Sequence, residues 1–224
     1  MGQSMAKADS HIKHDVLEEL KWDTRVNETD VGVQVKGGTV TLTGTVDSWA
    51  ARVAAQNAAH RVAGVLDVAN DMRVKLPGSF ERNDTDIAKA VRVALEWDTL
   101  VPHERIRTTV SNGVVTLEGT LDYWSQYEDA VRAVRNLAGV TAIKNLMAVE
   151  PPLPRPSADA VRAAIESALE RHAEHAAKRV KVAVTDGKVV LSGDVPSWAE
   201  RHAIEGAVRG TLGVRKVENH LLIA

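Results

Sequence analysis

One sequence pattern occurs three times in this chain, and the repetition constrains the fold more than any other feature. A seven-residue segment that begins and ends with glycine recurs at Gly38 to Gly44, Gly113 to Gly119 and Gly187 to Gly193. Three further landmarks follow each segment at constant offsets: Trp49, Trp124 and Trp198; Gly64, Gly139 and Gly213; Asn70, Asn145 and Asn219. Because no gap breaks the register inside any repeat, we expect three equivalent units, residues 10–74, 85–149 and 157–223, joined by linkers 75–84 and 150–156.

Hydrophobic periodicity predicts the elements of each unit. The unit opens with apolar residues spaced by four, which is typical of one face of an amphipathic helix, as in Ile12, Val16 and Leu20. Apolar and polar residues then alternate, as in Val31, Val33 and Val35, which indicates a strand with one buried face. A returning strand, a second helix and a third strand complete the predicted order α-β-β-α-β.

Short polar and glycine segments mark the boundaries between these elements. Each pair of predicted strands is separated by two residues that tolerate positive φ, the signature of a type I′ hairpin turn: Gly37-Gly38, Asn112-Gly113 and Asp186-Gly187. The second helix is predicted to begin near Ser48, Ser125 and Ser197, with capping boxes in which Ser125 pairs with Glu128 and Ser197 with Glu200. It is predicted to end at the Gly-Val pair before the last strand.

Composition excludes several classes of protein. The chain has no Cys, so disulfides, thiolate nucleophiles and Cys-ligated metals are excluded. Its formal net charge of -2 gives no overall field that would favour nucleic acid, and we expect no nucleic-acid partner. Residues 1–11 lack the apolar core of a secretory signal, and no apolar run is long enough to span a membrane. The sequence therefore favours a cytoplasmic location.

The ordered pattern of helix, hairpin, Gly-x-Val-x-Leu-x-Gly, second helix and Gly-Val-x-x-[Val or Ile]-x-Asn resembles the BON domain family in all three copies. The resemblance implies an α+β fold, three tandem αββαβ sandwiches, each with a three-stranded mixed sheet and two helices on one face. It also implies structural, binding or protective roles without catalysis, of the kind found in osmotically induced OsmY-like proteins. Other relatives bind anionic phospholipid or potassium.

No group of residues predicts catalysis, a cofactor or a metal. Two histidine pairs, His11 with His14 and His172 with His175, have helical spacing, but two ligands are fewer than a metal site needs. The glycine-bounded segment starts in a hairpin turn and lacks the Lys-Ser/Thr pair of a phosphate loop. We therefore expect a non-enzymatic protein with no catalytic, cofactor or metal residues.

The tryptophans fall into two groups. Trp49, Trp124 and Trp198 recur in every unit, so a packing role that closes each sandwich is favoured over ligand stacking. Trp22 and Trp97 follow the first helix in two units only, because repeat 3 has Arg171 at that place, and they are better candidates for a binding surface. The recurring Asn residues are expected to form hydrogen bonds to neighbouring backbone.

Repeat 3 is the basic unit, and it offers a second candidate surface. Residues 158–224 contain ten Lys and Arg against nine Asp and Glu, whereas acidic residues outnumber basic ones in the other two units. Its candidate contacts for phosphate groups are Arg171, Lys178, Arg179, Lys181 and Lys188. Three hypotheses follow: a stress-associated adaptor that binds proteins or itself, a peripheral protein that binds anionic phospholipid, and a potassium sensor that rests on the family alone.

Overall fold

A computed structural model describes residues 7–79, 81–172 and 179–223. It divides into two compact units, Met1–Phe80 with Ser197–Ala199, and Glu81–Pro196 with Glu200–Ala224. The first repeat contains α1 (Asp9–Trp22), β1 (Val31–Lys36), β2 (Thr39–Val46), α2 (Trp49–Arg61), β3 (Asp67–Asn70) and β4 (Arg73–Val74). The second contains α3 (Asp84–Trp97), β5 (Ile106–Ser111), β6 (Val114–Leu121), α4 (Trp124–Val134) and β7 (Ala142–Val149). The third contains α5 (Ala158–His172), β8 (Val180–Thr185), β9 (Lys188–Val195), α6 (Trp198–Arg209) and β10 (Lys216–Ile223).

Each repeat has the same sheet topology. The second strand of the hairpin is central, antiparallel to the first strand and parallel to the last, which gives the orders β1-β2-β3, β5-β6-β7 and β8-β9-β10. In repeat 1 the last strand is interrupted, and its second part, β4, also pairs with β2. The predicted α+β class and the three mixed αββαβ units are therefore confirmed.

Periodic apolar residues form a separate core in each repeat. In repeat 2, Ile87, Val91 and Leu95 from α3 are at most 2% exposed and pack with Val115 and Leu117 of the central strand. The cores of repeats 1 and 3 contain the equivalent residues of α1 with β2 and of α5 with β9. The spacing of four along the first helix and of two along the strand thus places both apolar faces on the same side of the sheet.

Two glycine positions explain why the repeated segment begins and ends with glycine. Both central residues of each hairpin turn have positive φ, for example 52° at Asn112 and 74° at Gly113, as a type I′ turn requires. The closing glycine has φ of 119°, 150° and 127° at Gly44, Gly119 and Gly193. A Cβ there would overlap a backbone carbonyl oxygen of the residue before the first strand, so glycine is required for the strands to approach.

One predicted helix cap is wrong. In repeat 1, Ser48 caps α2 by accepting a hydrogen bond from the Ala51 N–H at 3.2 Å. In repeat 2, α4 begins at Trp124, so Ser125 lies inside the helix and cannot form the capping box predicted with Glu128. Gln126 takes the role predicted for Glu128, because the Oε1 atom of Gln126 accepts hydrogen bonds from the N–H groups of Asp122 and Tyr123. Tyr123 occupies the position that Ser48 and Ser197 have in the other two repeats. The serine of repeat 2, Ser125, comes two residues later.

Candidate interaction surfaces

The two tryptophans at the end of the first helix are the most exposed large aromatic residues in their repeats. Trp22 is 80% exposed and Trp97 is 82% exposed, each as the last residue of its helix. Around Trp97, Val93 and Leu100 are also exposed, and Val93 lies one helical turn before Trp97. Repeat 2 therefore presents an apolar surface at Trp97, Val93 and Leu100.

A buried carboxylate fixes the backbone directly after Trp22. Asp23 is 8% exposed, and its oxygens accept hydrogen bonds from Nε and Nη2 of Arg25 at 2.8 and 2.7 Å. Arg61 at the end of α2 donates a further bond at 3.3 Å. The hydrogen bonds from Arg25, together with the one from Arg61, hold the pKa of Asp23 well below its ordinary value. The sequence shows Trp-Asp-Thr in repeats 1 and 2, but the arginine partners became apparent only in three dimensions.

The basic residues of repeat 3 do not form one free positive surface. Lys188 Nζ lies 2.9 Å from Glu218 Oε2, and Lys216 contacts the same carboxylate, so this charge is paired and the pKa of Glu218 is lowered by the two lysines. Arg171 is exposed, and its guanidinium donates to Ser167 Oγ at 2.6 Å. Arg179 and Lys181 are exposed at the start of β8. Lys178 lies outside the described residues, as does His175.

The recurring tryptophan of repeat 2 contacts the next repeat. Trp124 packs against the hydrophobic core of repeat 3, and the guanidinium carbon of Arg209 lies 4.8 Å from the centroid of its ring. A cavity of about 140 Å³ is lined by Trp124 together with residues 209–214 of repeat 3. Glu128 of repeat 2 forms an ion pair with Arg209, and Glu150, the first residue of the second linker, forms one with Arg215. The Trp124 ring also lies 5.0 Å from the ring of Tyr127 in its own helix, so Trp124 packs between repeats 2 and 3 and not within its own sandwich alone.

The residues equivalent to Trp124 and Arg209 are also in contact in the first compact unit. The ring of Trp198 stacks on His60 with centroids 4.1 Å apart and an interplanar angle of 16°. Its indole N–H donates to the Leu66 carbonyl oxygen at 3.1 Å, and the side chain packs against the core of that unit. Within the repeat pattern, Trp198 is equivalent to Trp124, and His60 is equivalent to Arg209. The tryptophan at this position therefore contacts residues of another repeat in two of the three units.

An aspartate at the start of the first helix holds the hairpin turn in two repeats. Asp9 accepts hydrogen bonds from the Gly37 and Gly38 N–H groups at 2.8 and 3.0 Å. Asp84 accepts from Asn112 and Gly113 in the same way, at 2.8 and 2.9 Å. In repeat 3 the equivalent residue is Ala158, so this contact cannot form. Sequence reasoning missed it, although the constant spacing of 28 residues between each aspartate and its turn was a usable signal.

The recurring asparagines bind backbone within their own last strand. The Oδ1 atoms of Asn70, Asn145 and Asn219 each accept a hydrogen bond from the N–H two residues further on, at 3.0–3.3 Å. In repeats 1 and 3 the amide nitrogen also reaches the second helix, at Arg52 O and Glu205 Oε2 respectively. These asparagines therefore lie in structural positions rather than at an open surface.

Within the described residues, no group of three or more His, Asp or Glu side chains is arranged to hold a metal ion. His11 and His14 are both exposed on α1. Across the same residues, every helix is too short or too polar to pass through a lipid bilayer.

Comparison with known proteins agrees with the repeated fold. The sequence model of the BON domain matches residues 8–75, 83–151 and 157–224. Since these matches cover most of the sequence, the chain belongs to the BON domain family.

A curated relative and several solved structures are similar to parts of this chain. Osmotically-inducible protein Y of Escherichia coli (strain K12) is 30% identical over 141 residues, which is 61% of this chain and 70% of the relative. CdsD, a structural protein of the type III secretion system of Chlamydia trachomatis, aligns with 15% identity over 94% of this chain and 91% of that chain, at a TM-score of 0.26. The PrgH periplasmic domain aligns with 11% identity over 87% and 95%, at a TM-score of 0.20. Family membership rests on the three BON matches.

Proposed function

We propose that this protein is a non-catalytic, stress-associated adaptor that acts through protein–protein contacts or self-association. The docking of Trp124 on residues 209–214 supports this proposal most directly, because one BON module here binds another through a defined aromatic contact. Three linked modules also raise the affinity for a repetitive partner by increasing its effective concentration. The similarity to osmotically-inducible protein Y supports the stress association.

Photo-crosslinking in cells tests the adaptor proposal. A photoreactive amino acid replaces Asn136, an exposed residue two positions after the end of α4, and the control carries the same amino acid at Gly78, an exposed residue of the first linker. We expect covalent adducts from position 136 that increase after hyperosmotic shift, with few or none from position 78. Mass spectrometry then identifies the adduct as a second copy or another protein. Equal labelling at both positions, or none at position 136, would contradict the proposal.

A second candidate function is peripheral binding to anionic phospholipid. The exposed Trp97 with Val93 and Leu100 is the observation that favours it, because tryptophan beside aliphatic residues inserts well at a membrane interface. In repeat 3, Arg179 and Lys181 are exposed cations that suit phosphate headgroups. Because Lys188 is paired with Glu218, the basic surface is smaller than the sequence predicts.

Vesicle co-sedimentation of the full chain tests this second candidate. We expect pelleting with anionic vesicles only, and weaker pelleting at high salt, because exposed charges are screened over about 8 Å at physiological ionic strength. Trp97→Ala should reduce the pelleted fraction, and so should the double change Arg179→Glu with Lys181→Glu. Equal pelleting with neutral vesicles, or none at low salt, would remove this candidate.

A further inference from the structure

The docking contact joins two different surfaces. One surface is the tryptophan that begins the second helix. The other, which we call the docking corner, is the segment from the end of that helix through the Gly-Val turn: residues 60–65, 135–140 and 209–214 in repeats 1, 2 and 3. Because the two surfaces differ, the contact is heterologous, and every module carries one of each.

Two of the three corners contact a tryptophan of another repeat. Trp124 lies on corner 209–214, with Arg209 over its ring, and Trp198 lies on corner 60–65, stacked on His60. The partner of the indole is a planar guanidinium in one case and an imidazole ring in the other. Both groups are suited to the face of a tryptophan.

The corner of repeat 2 keeps the features that bind tryptophan. Arg135 occupies the position of Arg209 and is exposed, together with Asn136 and Ala138. Gly139 and Val140 beneath them are buried in the repeat 2 core, so the corner rests on a fixed support. Trp49 is the remaining tryptophan of the set. It is partly exposed, and the guanidinium carbon of Arg52, one turn along its own helix, lies 5.1 Å from its ring centroid.

We propose that Trp49 of one molecule docks on corner 135–140 of a second copy of this chain, with Arg135 over the indole. This proposal rests on the proposed function and deepens it by naming the partner as a second copy. The contact continues a series that the chain already forms through Trp124 and Trp198. Each molecule would offer one Trp49 and one corner, so the association is head-to-tail.

Sedimentation velocity of the full chain over a wide concentration range tests the proposal. We expect the mean mass to rise above the monomer value of 24.2 kDa as concentration increases. Trp49→Ala and Arg135→Glu should each weaken association by roughly tenfold or more, since aromatic and arginine residues at contact centres dominate binding. Arg107→Glu is the matched control: it reverses the charge of an exposed arginine on β5, outside the corner, and should leave association unchanged.

A mixture of the two variants gives the sharper result. The Trp49→Ala protein keeps the corner, and the Arg135→Glu protein keeps Trp49, so an equimolar mixture should form dimers and stop there. Circular dichroism confirms that both variants fold, and Arg135 is a surface residue whose replacement leaves the core intact. Failure of the mixture to dimerise would overturn the proposal.

The remaining outcomes separate this proposal from the proposed function. Wild-type protein that stays monomeric at every concentration would overturn docking of a second copy, and the adaptor function would then be decided by crosslinking to other proteins. Association that persists unchanged in both variants would overturn the role of Trp49 and Arg135 but would support self-association through another surface.

Discussion

Repeats 2 and 3 have the same fold, but they differ in how their surfaces are used. Each has a six-residue first strand, an eight-residue central strand and an eight-residue last strand around the same hairpin turn. In repeat 2 the hairpin is held by Asp84 and the docking corner is exposed. In repeat 3 the aspartate is replaced by Ala158 and the corner carries Trp124. The repeated residues thus define the module, and the two copies differ in the contacts made at the hairpin and at the corner.

The largest predicted effect is that of removing the tryptophan that joins these two repeats. Trp124→Ala should lower the free energy of unfolding by about 2–4 kcal/mol, because a large partly buried aromatic contact is lost. Trp97→Ala in the same repeat should change it by less than about 0.5 kcal/mol, since that side chain is 82% exposed. Urea denaturation of both variants measures the difference. Equal effects would contradict the contrast between docking and surface tryptophans.

A smaller effect is expected for the arginine that covers the Trp124 ring. Arg209→Ala should lower the free energy of unfolding by about 1 kcal/mol, because the cation–π contact with Trp124 and the ion pair with Glu205 are lost. Arg135→Ala, its counterpart in repeat 2, should have no resolvable effect when measured at a dilute concentration that disfavours association. Comparable losses at both positions would show that the residue acts within its own module.

The missing hairpin contact of repeat 3 can be supplied by one substitution. Ala158→Asp should stabilise the chain by about 1 kcal/mol, because a carboxylate there can accept hydrogen bonds from the N–H groups of Asp186 and Gly187. Asp84 accepts the equivalent bonds from Asn112 and Gly113 in repeat 2. Asp84→Ala should destabilise repeat 2 by a similar amount. Thermal unfolding monitors both changes. Loss of stability in Ala158→Asp would show that the start of α5 does not match that of α3.

The equivalent contact of repeat 1 should depend on pH. Hydrogen bonds from the Gly38 and Gly37 N–H groups lower the pKa of Asp9, so its stabilising contribution is complete above the ordinary aspartate pKa. That contribution is lost as pH falls through the lowered pKa, in the range below about pH 4. Asp9→Asn should therefore lower the free energy of unfolding at neutral pH. In acid, the variant and the wild type should have the same stability. A constant difference between them from neutral to acidic pH would contradict this role.

Most of the fold could be predicted because its signals are local. A two-residue turn such as Asn112-Gly113, or the spacing of Ile87, Val91 and Leu95, depends on neighbours in the chain. The hydrogen bonds of Asp84 were harder to foresee, since they join residues 28 positions apart and are absent from one copy. The cap at Tyr123 was missed because Ser125, two residues later, is a more typical capping residue than tyrosine.

The docking role of Trp124 could not be predicted from one repeat. A residue that recurs in every copy is expected to serve the common fold, and nothing in its sequence neighbourhood distinguishes its own core from that of the next repeat. The exposed positions of Trp22 and Trp97 agree with their predicted place on the surface. Their binding role stays a prediction.

A double-mutant cycle between Trp124 and Arg209 tests most directly whether the recurring tryptophan is a docking residue. The two single variants and the double variant of the full chain are compared with the wild type by urea denaturation. We predict a coupling energy of about 1 kcal/mol between the two side chains, because each substitution removes the same contact. Additive losses, with coupling below about 0.3 kcal/mol, would contradict the account.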